Sequence, residues 1–200
     1  REARSAQLLV AAGMSEFRKR QAGRLSGGMK QKLGLVCALI HRPRVILLDE
    51  PTTGVDPVSR RDFWRILYEL VSEGVAILTS TAYLDEAERC HRVALMHRGR
   101  LLFSDEPASL KARFGKGVLS ILAPSPRAVR DALEKAEGIS SILLTGDGLH
   151  VLVDDAERRI PEFEARLRQA GLAVDSMRQV APTIEDLFVD AVGAEGASHD

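Results

Sequence analysis

Several common signals are missing from this sequence, and each absence narrows what it can be. Cysteine is scarce: Cys37 and Cys90 stand alone in unlike contexts, without C-x-x-C spacing, and read as buried free thiols of a reducing compartment. The pair Cys90-His91 suggests a metal, but no second ligand pair stands nearby. Neither sign of charge is in excess, with 28 basic and 28 acidic residues. That speaks against a dedicated nucleic-acid binder, which carries a basic surplus, so no nucleic-acid partner is expected. No apolar run approaches the ~18 residues that a membrane span needs, and no signal peptide is expected. The expectation is a soluble, cytoplasmic chain. It starts at Arg1 rather than at a methionine, which reads as a fragment.

What is present is a 200-residue chain with 45% hydrophobic residues, enough for one large domain or two small ones with a core. Residues 5–14 read as a short helix and Ser15 to Gln21 as a polar segment. A helix after Ser26 carries Leu33, Val36, Cys37 and Ile40 at helical spacing and stops at Pro43. Val45 to Leu48 is a continuous apolar run, suited to a strand buried on both faces of a parallel sheet. Ser59 to Val71 is helical, with Phe63, Ile66, Leu67 and Leu70 on one stripe. Val75 to Leu78 is a second buried strand, Leu84 to Cys90 an acidic helix, and 93–103 a hairpin. Helix and strand alternate, so this part is α/β.

The composition shifts at Phe114-Gly115-Lys116-Gly117, taken as a boundary between domains at 1–115 and 118–195. Beyond it come a strand (118–122), a helix (127–136), a strand (139–144), a Gly146-Asp147-Gly148 turn, a strand (149–153), a helix (160–170) and a strand (174–180). That βαββαβ order is the ferredoxin-like α+β pattern. A last helix opens on Thr183-Ile184-Glu185-Asp186, similar to a capping box. The small, polar tail after Val192 is expected to fray.

Two stretches carry chemistry. Asp49 and Glu50 end the first apolar strand, where α/β folds bind ligands. Neighbouring strand residues point to opposite faces, so the two acids have different jobs. A residue before proline is held extended, which fixes where Glu50 points. One acid can reach a hard cation such as Mg²⁺ while the other orients or deprotonates a water; the alternative is a solvated strand end. Leu25-Ser26-Gly27-Gly28 offers a hydroxyl and successive N–H groups at a helix start, with glycines that let a ligand approach. Its alternative is an ordinary serine cap.

Together, RLSGGMKQKLGLVCALIHRPRVILLDEPTTGVDP resembles the ATP-binding cassette (ABC) ATPases over roughly the first three-fifths of the chain. Leu25 to Gly28 match the signature motif, with Met29 where many members have glutamine. Val45 to Leu48 with Asp49 resemble the Walker B strand, Glu50 the catalytic glutamate, and Thr53 to Asp56 the D-loop. Met29-Lys30 and the PTIEDLF segment (182–188) look most like cassettes of bacterial drug, antibiotic or polysaccharide exporters, in which a small domain follows the cassette. The fold expected is therefore the C-terminal part of a P-loop NTPase domain followed by a ferredoxin-like domain.

The resemblance implies ATP and Mg²⁺ as cofactors, with Asp49 holding Mg²⁺ through water and Glu50 acting as base for the attacking water. It implies that Ser26, Gly27 and Gly28 contact the γ-phosphate of an ATP bound mainly by an opposite cassette, and that Asp56 bridges the two. Partners implied are a transmembrane permease and a second cassette, on the inner face of the cell membrane. Such a subunit couples ATP hydrolysis to export.

There are two departures. No G-x-x-x-x-G-K-[ST] is present: the one Gly-Lys pair, Gly115-Lys116, has Leu110 where the first glycine belongs and Gly117 after the lysine. The chain thus reads as the C-terminal portion of a cassette, inactive alone. Loss of the P-loop strand is expected to expose the edge and face of 45–48, inviting association. The second is Ala82, where the family has a switch histidine. Either the cassette is catalytically weakened, such as one half of a tandem protein whose other half hydrolyses ATP, the preferred reading, or Tyr83 takes over the contact; His91 reads as a surface residue. A non-catalytic half that only completes a partner's ATP site is the alternative to the energising ATPase subunit. A soluble cassette of the DNA-repair or translation type is disfavoured by the neutral charge, the lack of a long coiled coil and the ferredoxin-like tail.

Overall fold

The computed structural model describes residues 2–146 and 148–197. By its contacts the chain divides into Arg1–Ala82 and Tyr83–Asp200. The sequence boundary at Phe114 to Gly117 lies within the second unit.

The first unit holds three helices, α1 (Glu2–Ala11), α2 (Gly27–Leu39) and α3 (Pro57–Ser72), and two strands, β1 (Val45–Leu48) and β2 (Ala76–Thr79). Single 3₁₀ turns at Ser15–Phe17 and Ala22–Arg24 occupy the polar stretch between α1 and α2. In α3, Asp56 caps the N-terminus, Pro57 takes a first-turn position that needs no N–H, and the predicted stripe is buried together with Trp64. The inward face of α2 only partly matches the predicted one: Val36 is buried and Leu33 and Ile40 half-buried, but Leu35 and Leu39 are buried as well and Cys37 is exposed. Two residues from Leu35 on a 100° helical step, Cys37 turns away from the core, so the expected buried thiol is corrected. Cys90 is half-buried.

β1 and β2 pair in parallel, Val45 opposite Ala76 through Leu48 opposite Thr79. The continuous apolar run suggests burial on both faces, whereas the lack of a P-loop strand predicts an exposed edge and face at 45–48. The observed exposure agrees with the second expectation. Ile46 is buried, yet Val45, Leu47 and Leu78 are 57%, 72% and 68% exposed. Side chains alternate across a strand, and only one face of this two-stranded sheet is covered.

The second unit opens with α4 (Leu84–Ala87) and the hairpin of β3 (Val93–His97) and β4 (Arg100–Asp105), followed by α5 (Pro107–Ala112), which the sequence reading lacks. Then come β5 (Gly117–Leu122), α6 (Pro126–Leu133), β6 (Ile139–Leu144), β7 (Gly148–Val153), α7 (Ala156–Gln169), β8 (Ser176–Val180) and α8 (Ile184–Ala197). The sheet order is β6-β7-β5-β8 with every pair antiparallel. This is the ferredoxin-like arrangement that the βαββαβ order predicts. Leu119, Ile121, Leu149, Val151 and Val153 face Val129 and Leu133 of α6 and Phe163 and Leu167 of α7 in its core.

The start of α7 and the extent of α8 differ from expectation. α7 begins at Ala156 because Asp155 Oδ1 accepts the Arg158 N–H at 3.1 Å, a cap that precedes the apolar stripe. Of the predicted 146–148 turn, Asp147 lies outside the described residues. The chain after Val192 continues α8 to Ala197, and residues 198–200 lie outside the described residues. The capping box at 183–186 is real: the Thr183 N–H donates to Asp186 Oδ2 at 2.8 Å, and the Asp186 N–H to Thr183 Oγ1 at 3.2 Å. No helix among the described residues is long and apolar enough to cross a membrane.

Candidate functional site

The register of β1 and β2 decides what surrounds the two acids. Because Leu48 pairs with Thr79, the chain leaves the sheet with Asp49 and Ser80 side by side. The Ser80 N–H donates to the Leu48 carbonyl at 2.9 Å, extending the ladder by one bond. The Ser80 hydroxyl donates to Asp49 Oδ1 at 2.5 Å and accepts the Glu50 N–H at 3.0 Å. A hydrogen bond to an ionised carboxylate is short and strong, so this one fixes the Asp49 side chain.

Glu50 is not extended, contrary to the expectation for a residue before proline. Its φ is +45°, in the left-handed region. Three sets of bonds hold it there. The Glu50 N–H binds Ser80, its carbonyl accepts the Thr53 N–H at 3.2 Å, and its Oε2 accepts from Thr53 Oγ1 at 3.2 Å and from the Ala82 N–H at 3.1 Å. Left-handed backbone on a residue with a Cβ costs roughly 1–3 kcal/mol and persists where surrounding bonds enforce it. The two acids lie past the last residue of β1, so strand alternation does not separate them. One loop, residues 80–82, holds both.

The signature residues are built differently. Ser26 caps α2, its Oγ accepting the Met29 N–H at 3.3 Å. Gly28 is buried, whereas Ser26 and Gly27 are exposed. A Cβ on Gly28 would lie 2.5 Å from Ser59 Cβ and 3.2 Å from Val55 Cγ1, and one on Gly27 would lie 3.3 Å from the Gly54 carbonyl oxygen. Gly28 is thus required by the pairing of two helix starts, and Ser59 fills the approach that the sequence reading left for a ligand. Ser26 and Gly27 remain open, at a helix N-terminus whose dipole favours an anion.

Asp56 caps α3, its Oδ1 accepting the Ser59 N–H at 2.9 Å. That bond holds its carboxyl below the usual carboxylate range, with the Ser59 side chain adding to the effect. One helical turn further, Lys32 Nζ meets Asp62 Oδ2 at 2.8 Å, pinning α2 to α3.

The structure therefore gathers the sequence-selected residues into two groups. Asp49 and Glu50 sit with Ser80, Ala82 and Thr53; Ser26, Gly27, Gly28 and Asp56 sit with Val55 and Ser59. The segment Thr53 to Asp56 touches both, through Thr53 on Glu50 and through Gly54 and Val55 against the start of α2. The sequence reading assigns no functional role to Ser80 or Ser59, and it places Thr53 only in the segment resembling the D-loop, not beside Glu50. Sliding the run 45–48 along 76–79 would have placed Ser80 beside Asp49; no comparable signal marks Ser59. Of the histidine alternatives, His91 is exposed as expected, and Tyr83 begins the second unit.

Comparison with known proteins agrees with these motifs. Residues 1–53 match the ABC transporter family, and residues 106–192 match the C-terminal domain of ATP-binding proteins like DrrA1-3. The probable multidrug ABC transporter ATP-binding protein YbhF of Escherichia coli K12 is 42% identical over 96% of this chain and 33% of its own length. The daunorubicin resistance ATP-binding protein DrrA2 of Streptomyces coeruleorubidus is 31% identical over 95% of this chain and 61% of its own length. The chain thus spans between a third and three-fifths of these curated relatives. Among solved structures, MJ1267, an ATP-binding cassette of an ABC transporter, aligns with a TM-score of 0.50 and 27% identity, covering 52% of this chain and 42% of that one. With the signature serine and glycines at the start of α2 and the Asp49-Glu50 pair at the end of β1, the chain belongs to the ATP-binding proteins of ABC transporters.

Proposed function

We propose that this chain serves in the ATPase subunit of an ABC exporter, coupling ATP hydrolysis to transport through a membrane permease from the inner face of the membrane. The observation that carries the reading is the loop that holds Asp49 and Glu50 together at the end of β1, with the Glu50 carboxylate held at Oε2. Glu50 aligns or deprotonates the attacking water. Ser26 and Gly27, with the N–H of Gly28, meet the γ-phosphate of an ATP held mainly by a second cassette, and Asp56 lies at the junction of the two. Residues 1–115 act as the cassette portion and 118–195 as an accessory domain that steadies the dimer or binds an effector.

The residues suit Mg²⁺ held in a particular way. Among the described residues no group of three or more His, Cys, Asp or Glu is placed to cage a metal. Mg²⁺ keeps several waters and takes one or two carboxylates plus phosphates, which asks of this chain only Asp49. When bound, the ion neutralises charge on the phosphates. The sequence holds no P-loop of its own, so the chain by itself is inactive, and turnover needs a P-loop beside Asp49 and Glu50.

The test is ATP turnover by a transporter assembly containing this chain, before and after Glu50→Gln. A fall of ~100-fold or more is expected for loss of a general base. Ala82 favours a second reading, a non-catalytic half that completes the partner's ATP site. In that case Glu50→Gln leaves turnover unchanged while Ser26→Arg still abolishes it.

A further inference from the structure

One hydroxyl joins both acids. Ser80 donates to Asp49 Oδ1 and accepts the Glu50 N–H, while its own N–H is tied to the Leu48 carbonyl. A serine hydroxyl has one proton and two lone pairs, so both bonds are made at once and each fixes the direction of the other. The anchoring is firm, because β2 pairs with β1 up to Thr79, the residue before Ser80.

We infer that Ser80 is a positioning residue for the Asp49-Glu50 pair. It sets the Asp49 carboxylate and pins the left-handed turn at Glu50, so that the Glu50 carboxylate reaches Thr53 Oγ1 and the Ala82 N–H through Oε2. Oε1 is then the oxygen that aligns the attacking water. The loop after β2 keeps its hold on Glu50 without an imidazole at position 82, since the contact is made by a backbone N–H that every residue except proline supplies. The inference rests on the reading of Glu50 as the carboxylate that aligns water.

Two measurements test it. In the chain itself, amide hydrogen exchange at Glu50 is followed by NMR, with Leu35 of α2 as the internal reference for folding. Ser80→Ala should speed Glu50 exchange by ~10-fold, the size of one lost hydrogen bond, and Ser80→Thr should keep the native rate. Equal protection in Ser80→Ala overturns the proposal. In the ATP-hydrolysing assembly, Ser80→Ala should lower kcat by ~10-fold or more with KM for ATP within about twofold, as for a misplaced reacting group. Ser80→Thr should restore most of it. Lost protection with unchanged kcat also overturns the proposal. If Glu50→Gln leaves turnover untouched, the reading of Glu50 falls instead, and the exchange data still decide whether Ser80 holds the turn. Should Ser80→Ala fail to fold, Ala82→Pro removes the other contact, with the same loss of kcat expected and an unchanged kcat counting against the loop's role.

Discussion

Gly28 and Ser59 meet where two helices begin. A Cβ on Gly28 would fall 2.5 Å from Ser59 Cβ, closer than real Cβ atoms come. Gly28→Ala should therefore destabilise the chain by about 1–3 kcal/mol, the usual cost of overpacking. Urea unfolding of Gly28→Ala, Ser59→Gly and the double variant checks this. The double variant should cost less than the sum by at least ~0.5 kcal/mol, the signature of a direct contact. Simple additivity would show that the helices shift apart at no cost.

The cap at Ser26 makes a smaller, separable contribution. Ser26→Ala removes the acceptor of the Met29 N–H and should cost about 1 kcal/mol in the same unfolding experiment. Ser26→Asp should restore it, since aspartate caps as well. That restored stability should come without restored ATP turnover in an assembly, because a carboxylate repels a γ-phosphate.

The exposed face of the small sheet predicts association. Leu47 and Leu78 are neighbours in register and 72% and 68% exposed. Leu47→Ser and Leu78→Ser should each leave the unfolding free energy within ~0.5 kcal/mol, as for exposed positions elsewhere. Both should reduce concentration-dependent association in light scattering. Strong hydrogen-exchange protection of Val45 to Leu48 in a monomer would contradict the picture.

A pH dependence is built in at the start of α8. His150 Nδ1 lies 3.0 Å from Asp186 Oδ1. The hydrogen bond to Asp186 raises the imidazole above its ordinary 6.5, against the opposing effect of burial. For Asp186, burial alone favours the neutral acid, but His150 and the N–H and hydroxyl of Thr183 outweigh it and hold the carboxyl below 3.8. The stabilisation from a raised histidine is complete below pH 6.5 and disappears as pH rises through the folded value. That from a lowered aspartate is present above pH 3.8 and is lost as pH falls through the folded value. Unfolding free energy should therefore decline as pH rises above 6.5, and His150→Gln should remove that decline. An unchanged slope in the variant would place the titration elsewhere.

Much of this was legible in the residues. The signature, the Walker B run and the D-loop announce themselves because each needs particular side chains at fixed spacing. The βαββαβ order follows from periodicity and turn residues, and the observed sheet order agrees with it. Less legible was which face of a short apolar run is covered, as with Val45 and Leu47, because continuous branched aliphatics read alike on either face. Cys37 went astray for a related reason: spacing by three or four admits two overlapping stripes on α2, and only packing against its neighbours selects Leu35, Val36 and Leu39.

Local sequence determined the inventory: a capped helix start with two glycines, two acids ending a strand, and a second small sheet with its own core. Those are effects of neighbours within a few residues, where propensity, caps and alternation act. Tertiary structure alone decided that Ser80 lies against Asp49, that Ser59 needs a glycine at 28, and that Glu50 turns left-handed to meet the Ala82 amide. Each of these pairs residues about 30 positions apart, which strand register and helix packing bring together, and neither leaves a local mark in the chain.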